Sequence, residues 1–325
     1  MRTHPIELTV PAALLITGSA EAFGEQTSRY RRELLVHCYR MLGSIDDAED
    51  AVQDALVRAW HGRHTFQQAI SFRAWLYRIA TNACLDAIRS RKRSEGGERR
   101  FEVEPSPDDA LEETSAGPEA RYDAHESISL AFLTALQLLP PRQRAVLILR
   151  DVLSWRAAEV AELLELTVPA VNSALHRART TVARQYTPAN AATDHPPVGE
   201  PGRLRSLLDR YVQAWEAADV AGLVALLRDD AVVSMPPGLA ISGREEIGAF
   251  LAESVFTDGM RIRLIPIRAN GGPGFAVYSG SGPDAPLRAY AVLLLDVDGS
   301  SIARMSVFAD QRLIARFGLL QRLGG

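Results

Sequence analysis

The side chains best suited to binding chemistry lie on one predicted helix near the middle of the chain. Between Leu166 and Ala192 no acidic residue occurs, although acids are common elsewhere. Arginines on such a helix can neutralise phosphates, while short polar side chains near its start can reach base edges in a DNA major groove. The candidate DNA-binding residues are Asn172, Ser173, His176, Arg177 and Arg179, followed by Arg184.

The elements around this helix fit a helix-turn-helix. The segment from Leu153 to Arg184 predicts a helix, a short turn centred on Glu165, a cap at Thr167 and a second helix. An ordinary helical hairpin with a basic, solvated face fits the same pattern. The motif by itself therefore leaves both interpretations open.

A second candidate nucleic-acid surface is predicted on the helix that starts at Ser71. Aromatic, amide and cationic side chains share a face away from its apolar stripe, and the helix ends in the basic run 89–93. Such a mixture suits single-stranded DNA, whose bases stack on rings and whose phosphates need cations. A purely structural role is the alternative: taken alone, Trp75 fits the protein core slightly better than a DNA surface, and the terminal cations also fit the helix dipole. The candidates are Trp75, Arg78, Asn82 and Arg89.

With 325 residues, of which 47% are hydrophobic, the chain is expected to form several domains. Its net charge of -4 gives no overall attraction to nucleic acid, so DNA contacts must come from local basic segments.

Cys38 and Cys84 have no disulfide or zinc-ligand spacing, which favours a reducing cytoplasm. No apolar run approaches the ~20 residues of a membrane span. Because the apolar run near the start is interrupted, residues 1–22 are expected to be a mobile leader rather than a signal peptide.

Composition divides the rest of the chain into three blocks. Residues 23–95 and 126–186 have helical periodicity, and the acidic, proline-containing residues 96–125 between them are expected to form a solvated linker. After a proline-rich linker at 187–202, residues 203–325 begin with an amphipathic helix and continue with strand-like runs. This third block is predicted to be α+β, with helices first and an antiparallel sheet later.

Four segments of the sequence, residues 39–60, 72–86, 138–147 and 171–179, resemble the extracytoplasmic-function (ECF) sigma factors, which are specificity subunits of bacterial RNA polymerase. Residues 39–60 and 72–86 resemble region 2 of that family, and residues 138–147 and 171–179 resemble region 4. The resemblance implies that the first helical block is a region 2 bundle and the second a region 4 helix-turn-helix. It also implies core RNA polymerase and promoter DNA as partners.

The same resemblance implies a role for each set of residues. An acidic helix would dock on the β′ clamp helices of the polymerase, and region 4 would contact the β flap. The family usually has glycine where this chain has Glu165, and a left-handed non-glycine residue costs about 1 kcal/mol. Asn172 and Ala174 replace basic residues that are common on the recognition helix. The implied residues are Asp47, Glu49, Asp50 and Gln53 for the polymerase; Phe66, Trp75, Arg78, Asn82 and Arg89 for the melted minus-ten element; and Asn172, Ser173, His176, Arg177 and Arg179 for the minus-thirty-five element.

The third block resembles the SnoaL-like, or nuclear-transport-factor-2-like, domain. The segments that carry this likeness are 211–215, 236–237, 243–247, 269–271 and 308–318. The resemblance implies a cone-shaped α+β domain, a fold shared with isomerases and cyclases that use a pocket carboxylate. Because no histidine follows His195, acid–base candidates are poor, and neither catalysis nor a cofactor or metal is expected. An apolar cavity is expected instead, formed by Tyr211, Trp215, Phe250, Tyr278, Tyr290 and Phe308, with Asp310 nearby.

These observations support three hypotheses for function. The first is a promoter-specificity subunit without enzymatic activity, whose third domain contacts the sigma domains and modulates them. The second is a DNA-binding regulator that does not melt DNA and whose third domain senses a ligand or is weakly enzymatic. The third is an enzyme fused to a DNA-binding module, against which the missing histidine argues.

Overall fold

The computed structural model describes residues 19–66, 71–94, 103–111, 128–185, 201–236, 238–257, 259–282 and 285–323. Its contacts divide the chain into two units: unit 1 contains 1–101 and 135–184, and unit 2 contains 102–134 and 185–325. Unit 1 therefore joins most of the two helical blocks, whereas unit 2 joins the third block to residues 102–134, which include the start of the second helical block. Most of the predicted leader and the proline-rich linker lies outside the described residues.

The helices follow the apolar periodicity of the sequence. In chain order they are α1 (Ala20–Leu42), α2 (Ile45–Gly62), α3 (Phe72–Ser94), α4 (Asp108–Leu111), α5 (Leu130–Gln137), α6 (Pro141–Leu147), α7 (Ala157–Leu163), α8 (Val168–Gln185), α9 (Pro201–Glu216), α10 (Val220–Leu226), α11 (Arg244–Phe250) and α12 (Gln311–Arg316). A 3₁₀ turn, Arg63–Thr65, follows α2, and π-helical turns extend α6 through Ile148–Val152 and α11 through Leu251–Val255. Among the described residues, no helix combines the length and hydropathy needed to cross a membrane.

Three long helices, α1 to α3, form the first core of unit 1. Leu34 and Cys38 of α1, Val52 of α2, and Ala80 and Cys84 of α3 have almost no exposed surface. These side chains recur at helical spacing, so each helix turns one apolar stripe inward. Burying a large aliphatic side chain of this kind contributes about 1.5–3 kcal/mol.

The predicted helix-turn-helix is present in unit 1 and consists of α7 and α8. Glu165 has a φ of 54°, so its backbone is left-handed. This conformation costs a non-glycine residue about 1 kcal/mol. Thr167 caps α8, because its Oγ1 accepts a hydrogen bond of 3.3 Å from the N–H of Ala170. The turn geometry predicted from the sequence is confirmed despite the missing glycine.

Unit 2 is built on one seven-stranded sheet. Its strands are β1 (Leu227–Met235), β2 (Leu239–Ser242), β3 (Met260–Ala269), β4 (Gly272–Ser281), β5 (Leu287–Asp298), β6 (Ser301–Phe308) and β7 (Arg322–Leu323). The order is β2-β1-β6-β5-β4-β3, and β7 pairs with β5. All neighbours are antiparallel except β1 and β6, which are parallel.

The expected purely antiparallel sheet is therefore wrong in one respect. Strand β1 was not predicted, and it pairs in parallel with β6. The polar run Arg228-Asp229-Asp230 interrupts the alternation of apolar residues, and the pairing register shifts between Leu227 and Val232. A strand that contains a bulge loses the two-residue period on which sequence recognition depends.

The sheet has a separate apolar core on each face. Along β5, Leu293 and Leu295 belong to the core under α9, α10 and α11, while Val292 and Leu294 belong to a second core under α12. Successive residues of a strand point to opposite faces, so this alternation is the expected one. The face covered by α9, α10 and α11 and the face covered by α12 are thus lined by different side chains of the sheet.

The prediction of a solvated linker at residues 96–125 is wrong for the described part, 103–111. Ser106, Asp108 and Leu111 are buried, as are the neighbouring prolines. Counting acids and prolines indicated a solvated segment, but Asp108 is neutralised by partners that lie far along the chain in unit 2. A buried carboxylate is tolerated when its hydrogen bonds are satisfied in this way.

Candidate nucleic-acid interfaces

The recognition helix α8 presents a polar face to solvent. Asn172, Ser173, His176 and Arg177 are exposed, whereas the intervening residues Val171, Ala174, Leu175 and Ala178 are buried against the rest of region 4. The guanidinium of Arg177 donates a 2.7 Å hydrogen bond to the Oγ of Ser173, one turn earlier. Four of the five predicted minus-thirty-five residues therefore share one accessible surface at the start of α8.

Arg179 is held differently from the other four. Its guanidinium donates to both oxygens of Asp151, at 2.8 Å from Nε and 2.7 Å from Nη2. These hydrogen bonds raise the pKa of Arg179 further above its usual range. Because Asp151 balances its charge, Arg179 attracts phosphate less strongly than Arg177 does.

The acidic surface of α2 consists of Glu49, Asp50 and Gln53, all of which are exposed. Asp47 lies in the same helix but is partly buried, and Arg91 donates to both of its carboxylate oxygens at 2.7 Å. Three of the four predicted polymerase contacts are thus free to meet a partner. The fourth, Asp47, has its negative charge balanced by Arg91 within unit 1.

The predicted minus-ten surface is only partly present. Trp75 and Phe66 are buried at 2% and 8% exposure, and both pack against the ring of Phe72. The prediction that these two rings face DNA is wrong, because they fill the core beside α1 and α2. Asn82 and Arg89 are exposed as expected.

Arg78 is partly exposed on the same helix, which leaves Arg78, Asn82 and Arg89 as the accessible members of the minus-ten set. The rings were misassigned because aromatic side chains suit both a helical core and a base-stacking surface.

A nearby cation that was not predicted from the sequence is Arg63, whose guanidinium lies 3.8 Å from the ring centre of Trp60. The spacing of these two residues was the available signal for a cation–π pair.

Comparison with known proteins agrees with this division of the chain. Residues 27–94 match the family model of sigma-70 region 2, residues 129–182 match sigma-70 region 4, and residues 208–305 match the SnoaL-like domain. The ECF RNA polymerase sigma factor SigG of Mycobacterium tuberculosis is 40% identical over 317 residues, which cover 91% of this chain and 84% of that protein. This chain belongs to the ECF sigma factor family.

Other relatives support the same assignment. The ECF sigma factor SigW of Bacillus subtilis is 30% identical over 183 residues, covering 52% of this sigma factor and 90% of that protein. The crystal structure of the M. tuberculosis ECF sigma factor SigJ has the same fold, with a TM-score of 0.62 at 21% identity over 91% of this chain and 99% of that one. This protein is thus a sigma factor that directs transcription initiation with core RNA polymerase at promoter DNA. Its relatives indicate a transcription regulator rather than an enzyme.

The aromatic residues expected to form one cavity in the SnoaL-like domain do not converge. Tyr211, Trp215 and Phe250 belong to the core under α9 to α11. Tyr278 and Phe308 belong to the core on the opposite face of the sheet. Strand register was not predicted, and a shift of one residue along a strand moves a side chain to the other face of the sheet.

The remaining two residues of that expected set also lie elsewhere. Tyr290 is 48% exposed. Asp310 caps α12 and forms an ion pair of 2.6 Å with Arg312, and the hydrogen bond from Arg312 lowers the pKa of Asp310. A carboxyl group with a lowered pKa is a poor proton donor.

Inside the helix-covered core, Tyr211 is completely buried and stacks on Phe275 with ring centres 5.7 Å apart. Its hydroxyl donates to the sulfur of Met305 at 3.2 Å, and burial raises its pKa. The ring of Trp215 packs 5.1 Å from that of Phe256. Side chains from both helices and sheet therefore pack together where a cavity was expected.

The contact that the sequence analysis missed is made by Asn270, in the turn between β3 and β4. Its Oδ1 accepts from the N–H of Ser106 at 3.0 Å, its N–H donates to the carbonyl of Ser106 at 3.1 Å, and its Nδ2 donates to the carbonyl of Ile128 at 2.9 Å. The next N–H, of Gly271, donates to Asp108 at 2.7 Å, and Arg268 pairs with the same carboxylate at 3.1 Å. We call these contacts the linker clasp. The Asn-Gly turn was the only sequence signal for it.

Proposed function

We propose that the SnoaL-like domain modulates this sigma factor by holding the linker between regions 2 and 4. The linker clasp is the observation that supports the proposal. Asn270 is only 3% exposed and bonds to Ser106 within that linker and to Ile128 just after it. A folded domain that binds one arrangement of a linker shifts the population toward that arrangement by the free energy of the contact.

The surfaces that contact polymerase and promoter are part of the same proposal. Glu49, Asp50 and Gln53 would meet the β′ clamp helices, and region 4 would contact the β flap. Arg78, Asn82 and Arg89 would capture bases of the melted minus-ten element. The start of α8 would read the minus-thirty-five element. Their exposure, in segments that match regions 2 and 4, supports this assignment, and we place the protein in the cytoplasm with the polymerase.

The substitution Asn270→Gly tests the role of the clasp. Asn270 has a φ of 54°, a conformation that glycine adopts without strain, so the change removes the amide while keeping the turn. We expect run-off transcription with core polymerase to rise at least twofold from an unchanged start site. We also expect faster limited proteolysis within residues 103–111.

Ala218→Gly is the matched control, because Ala218 also has a positive φ of 53° in unit 2 but takes no part in the clasp. It should leave both measurements at the level of the unsubstituted protein. Equal transcript yield and equal proteolysis for the two variants would show that the clasp has no regulatory effect. A changed start site would contradict the proposal that the domain modulates output alone.

A further inference from the structure

Arg144 is a nearly fully buried cation between the two helical blocks of unit 1. It lies on α6 of region 4 and is 2% exposed. Its Nη1 donates to the carbonyl of Met41 in region 2 and to the side-chain oxygen of Gln137. Its Nη2 donates to the carbonyls of Gln137 at 3.1 Å and Leu139 at 3.2 Å. One guanidinium thus joins the carboxyl end of α1 to the carboxyl end of α5.

Helix carboxyl ends are favourable surroundings for this cation. Their unsatisfied carbonyls carry partial negative charge, and here two such ends meet at one side chain. Gln137 adds a second connection, because its Nε2 donates to the carbonyl of Arg40 in α1 at 3.4 Å. Met41, Gln137 and Leu139 offer neutral acceptors, and burial lowers the pKa of Arg144 to about 10. The guanidinium therefore loses hydration when regions 2 and 4 come together.

A second contact continues this interface. The ring of Trp155, which precedes α7, lies 5.3 Å from the ring of Tyr77 on α3. The guanidinium of Arg73 lies 5.0 Å from the Tyr77 ring and 5.9 Å from the Trp155 ring, while its Nε donates to Glu33 at 2.9 Å. Regions 2 and 4 are thus packed against each other through specific side chains.

This packing is incompatible with binding both promoter elements at once. The minus-ten and minus-thirty-five elements are separated by about 25 base pairs, or roughly 85 Å at 3.4 Å per base pair. A compact unit of roughly 150 residues has a radius of gyration of about 15 Å, and so a diameter near 40 Å. The α3 and α8 surfaces of unit 1 cannot reach both elements unless regions 2 and 4 separate.

We propose that Arg144 is a latch that keeps regions 2 and 4 together in the free protein and is released when the polymerase separates them. Because separation returns the guanidinium to water, the latch opens more easily than an apolar interface of the same size. The polymerase supplies the competing interaction, since it binds the two regions at different places. The latch is distinct from the linker clasp and does not depend on it.

Energy transfer between two dyes tests the latch directly in the full-length protein. Exposed positions for the dyes are Val57→Cys on α2 and Ala183→Cys near the end of α8, while the native cysteines Cys38 and Cys84 are fully buried. We expect high transfer in the free protein and lower transfer after core polymerase is added. Arg144→Ala should lower transfer without polymerase, with an open-to-closed ratio about tenfold higher because the hydrogen bond from Arg144 to the carbonyl of Met41 is lost.

Association with core polymerase, measured in parallel, should be severalfold tighter for Arg144→Ala, because the closed state no longer competes. Arg142→Ala, an exposed arginine on the same helix, is the control and should change neither quantity. If Arg144→Ala loses its helical circular dichroism, Arg144→Lys decides the question, since lysine keeps the charge but not the forked geometry. Unchanged transfer in the folded variant would overturn the proposal. So would weaker polymerase binding, which would instead place Arg144 on the polymerase surface.

Discussion

Asp47 and Arg91 form a bidentate ion pair, in which one guanidinium nitrogen lies 2.7 Å from each carboxylate oxygen. The pair ties the first turn of α2 to the last turn of α3. An acid predicted to meet the polymerase is thereby bonded to the basic end of the helix predicted to meet the minus-ten element. Glu49 and Asp50, which are exposed, must carry most of the charge available for docking.

The first prediction concerns that docking surface. The double substitution Glu49→Lys with Asp50→Lys should abolish co-purification with core polymerase, because four units of charge change on one exposed face. Glu21→Lys with Glu25→Lys on α1 has the same charge change at exposed sites and should leave co-purification intact. Circular dichroism checks that both proteins remain helical. Normal polymerase binding by the α2 variant would place the docking surface elsewhere.

The second prediction separates two arginines of the recognition helix. Arg177→Ala should weaken holoenzyme binding to duplex upstream DNA about tenfold and reduce the slope of affinity against salt by about 1. Arg179→Ala should have a smaller effect, because Asp151 already balances that charge. Fluorescence anisotropy over a range of salt concentrations measures both. Equal losses for the two variants would mean that the Arg179–Asp151 pair breaks on DNA.

The third prediction addresses promoter opening. Asn82 is exposed on α3 and can offer both a donor and an acceptor to an unpaired base. Asn82→Ala should reduce permanganate reactivity of minus-ten thymines severalfold while upstream duplex binding stays unchanged. Full permanganate reactivity with this variant would remove Asn82 from the proposed base-capture surface.

The fourth prediction follows from a buried histidine in region 2. His37 is completely buried, and burial, followed by repulsion from Arg40 and Arg73, lowers its pKa from 6.5 to about 3. Its Nε2 lies 2.9 Å from the Oγ1 of Thr81. The folded state therefore keeps His37 neutral, whereas the unfolded state binds a proton below pH 6.5. Stability is full above that pH and is lost as the pH falls toward 3.

Between pH 7 and pH 5 this single group should lower the free energy of unfolding by about 2 kcal/mol. Urea unfolding at the two pH values measures the loss, and His37→Asn should show correspondingly less of it. The carboxylates titrate in both proteins, so the difference between them isolates His37. The same pH dependence in both proteins would show that His37 titrates normally.

Local periodicity was enough to predict most helices and the strands β3 to β6. It failed where a partner far along the sequence decides the structure. Asp108 looked like one more acid of a solvated linker, yet its carboxylate is held by Gly271 and Arg268, about 160 residues away. Arg144 was not singled out from the sequence, and its hydrogen-bond partner Met41 lies 103 positions earlier.

The candidate site was predictable to different degrees for different side chains. Charged and amide residues such as Glu49, Asn82 and Arg177 are exposed as expected, because water is their default environment. Aromatic residues were ambiguous, since a ring such as that of Trp75 suits both a core, which its size slightly favours, and a base-stacking surface. The cavity residues failed together because strand register, which assigns Tyr278 and Phe308 to one face, is a tertiary property.

The linker clasp also changes the length of the tether between regions 2 and 4. Asn270 bonds to Ser106 and to Ile128, so one side chain holds together two residues that are 22 positions apart in the sequence. An extended chain covers up to about 3.3–3.6 Å per residue, so pinning about 22 residues shortens the tether by roughly 75 Å. That loss is close to the separation of the two promoter elements. If the clasp acts on the sigma regions as proposed, a single side-chain amide in the third domain limits how far apart the two DNA-binding regions can travel.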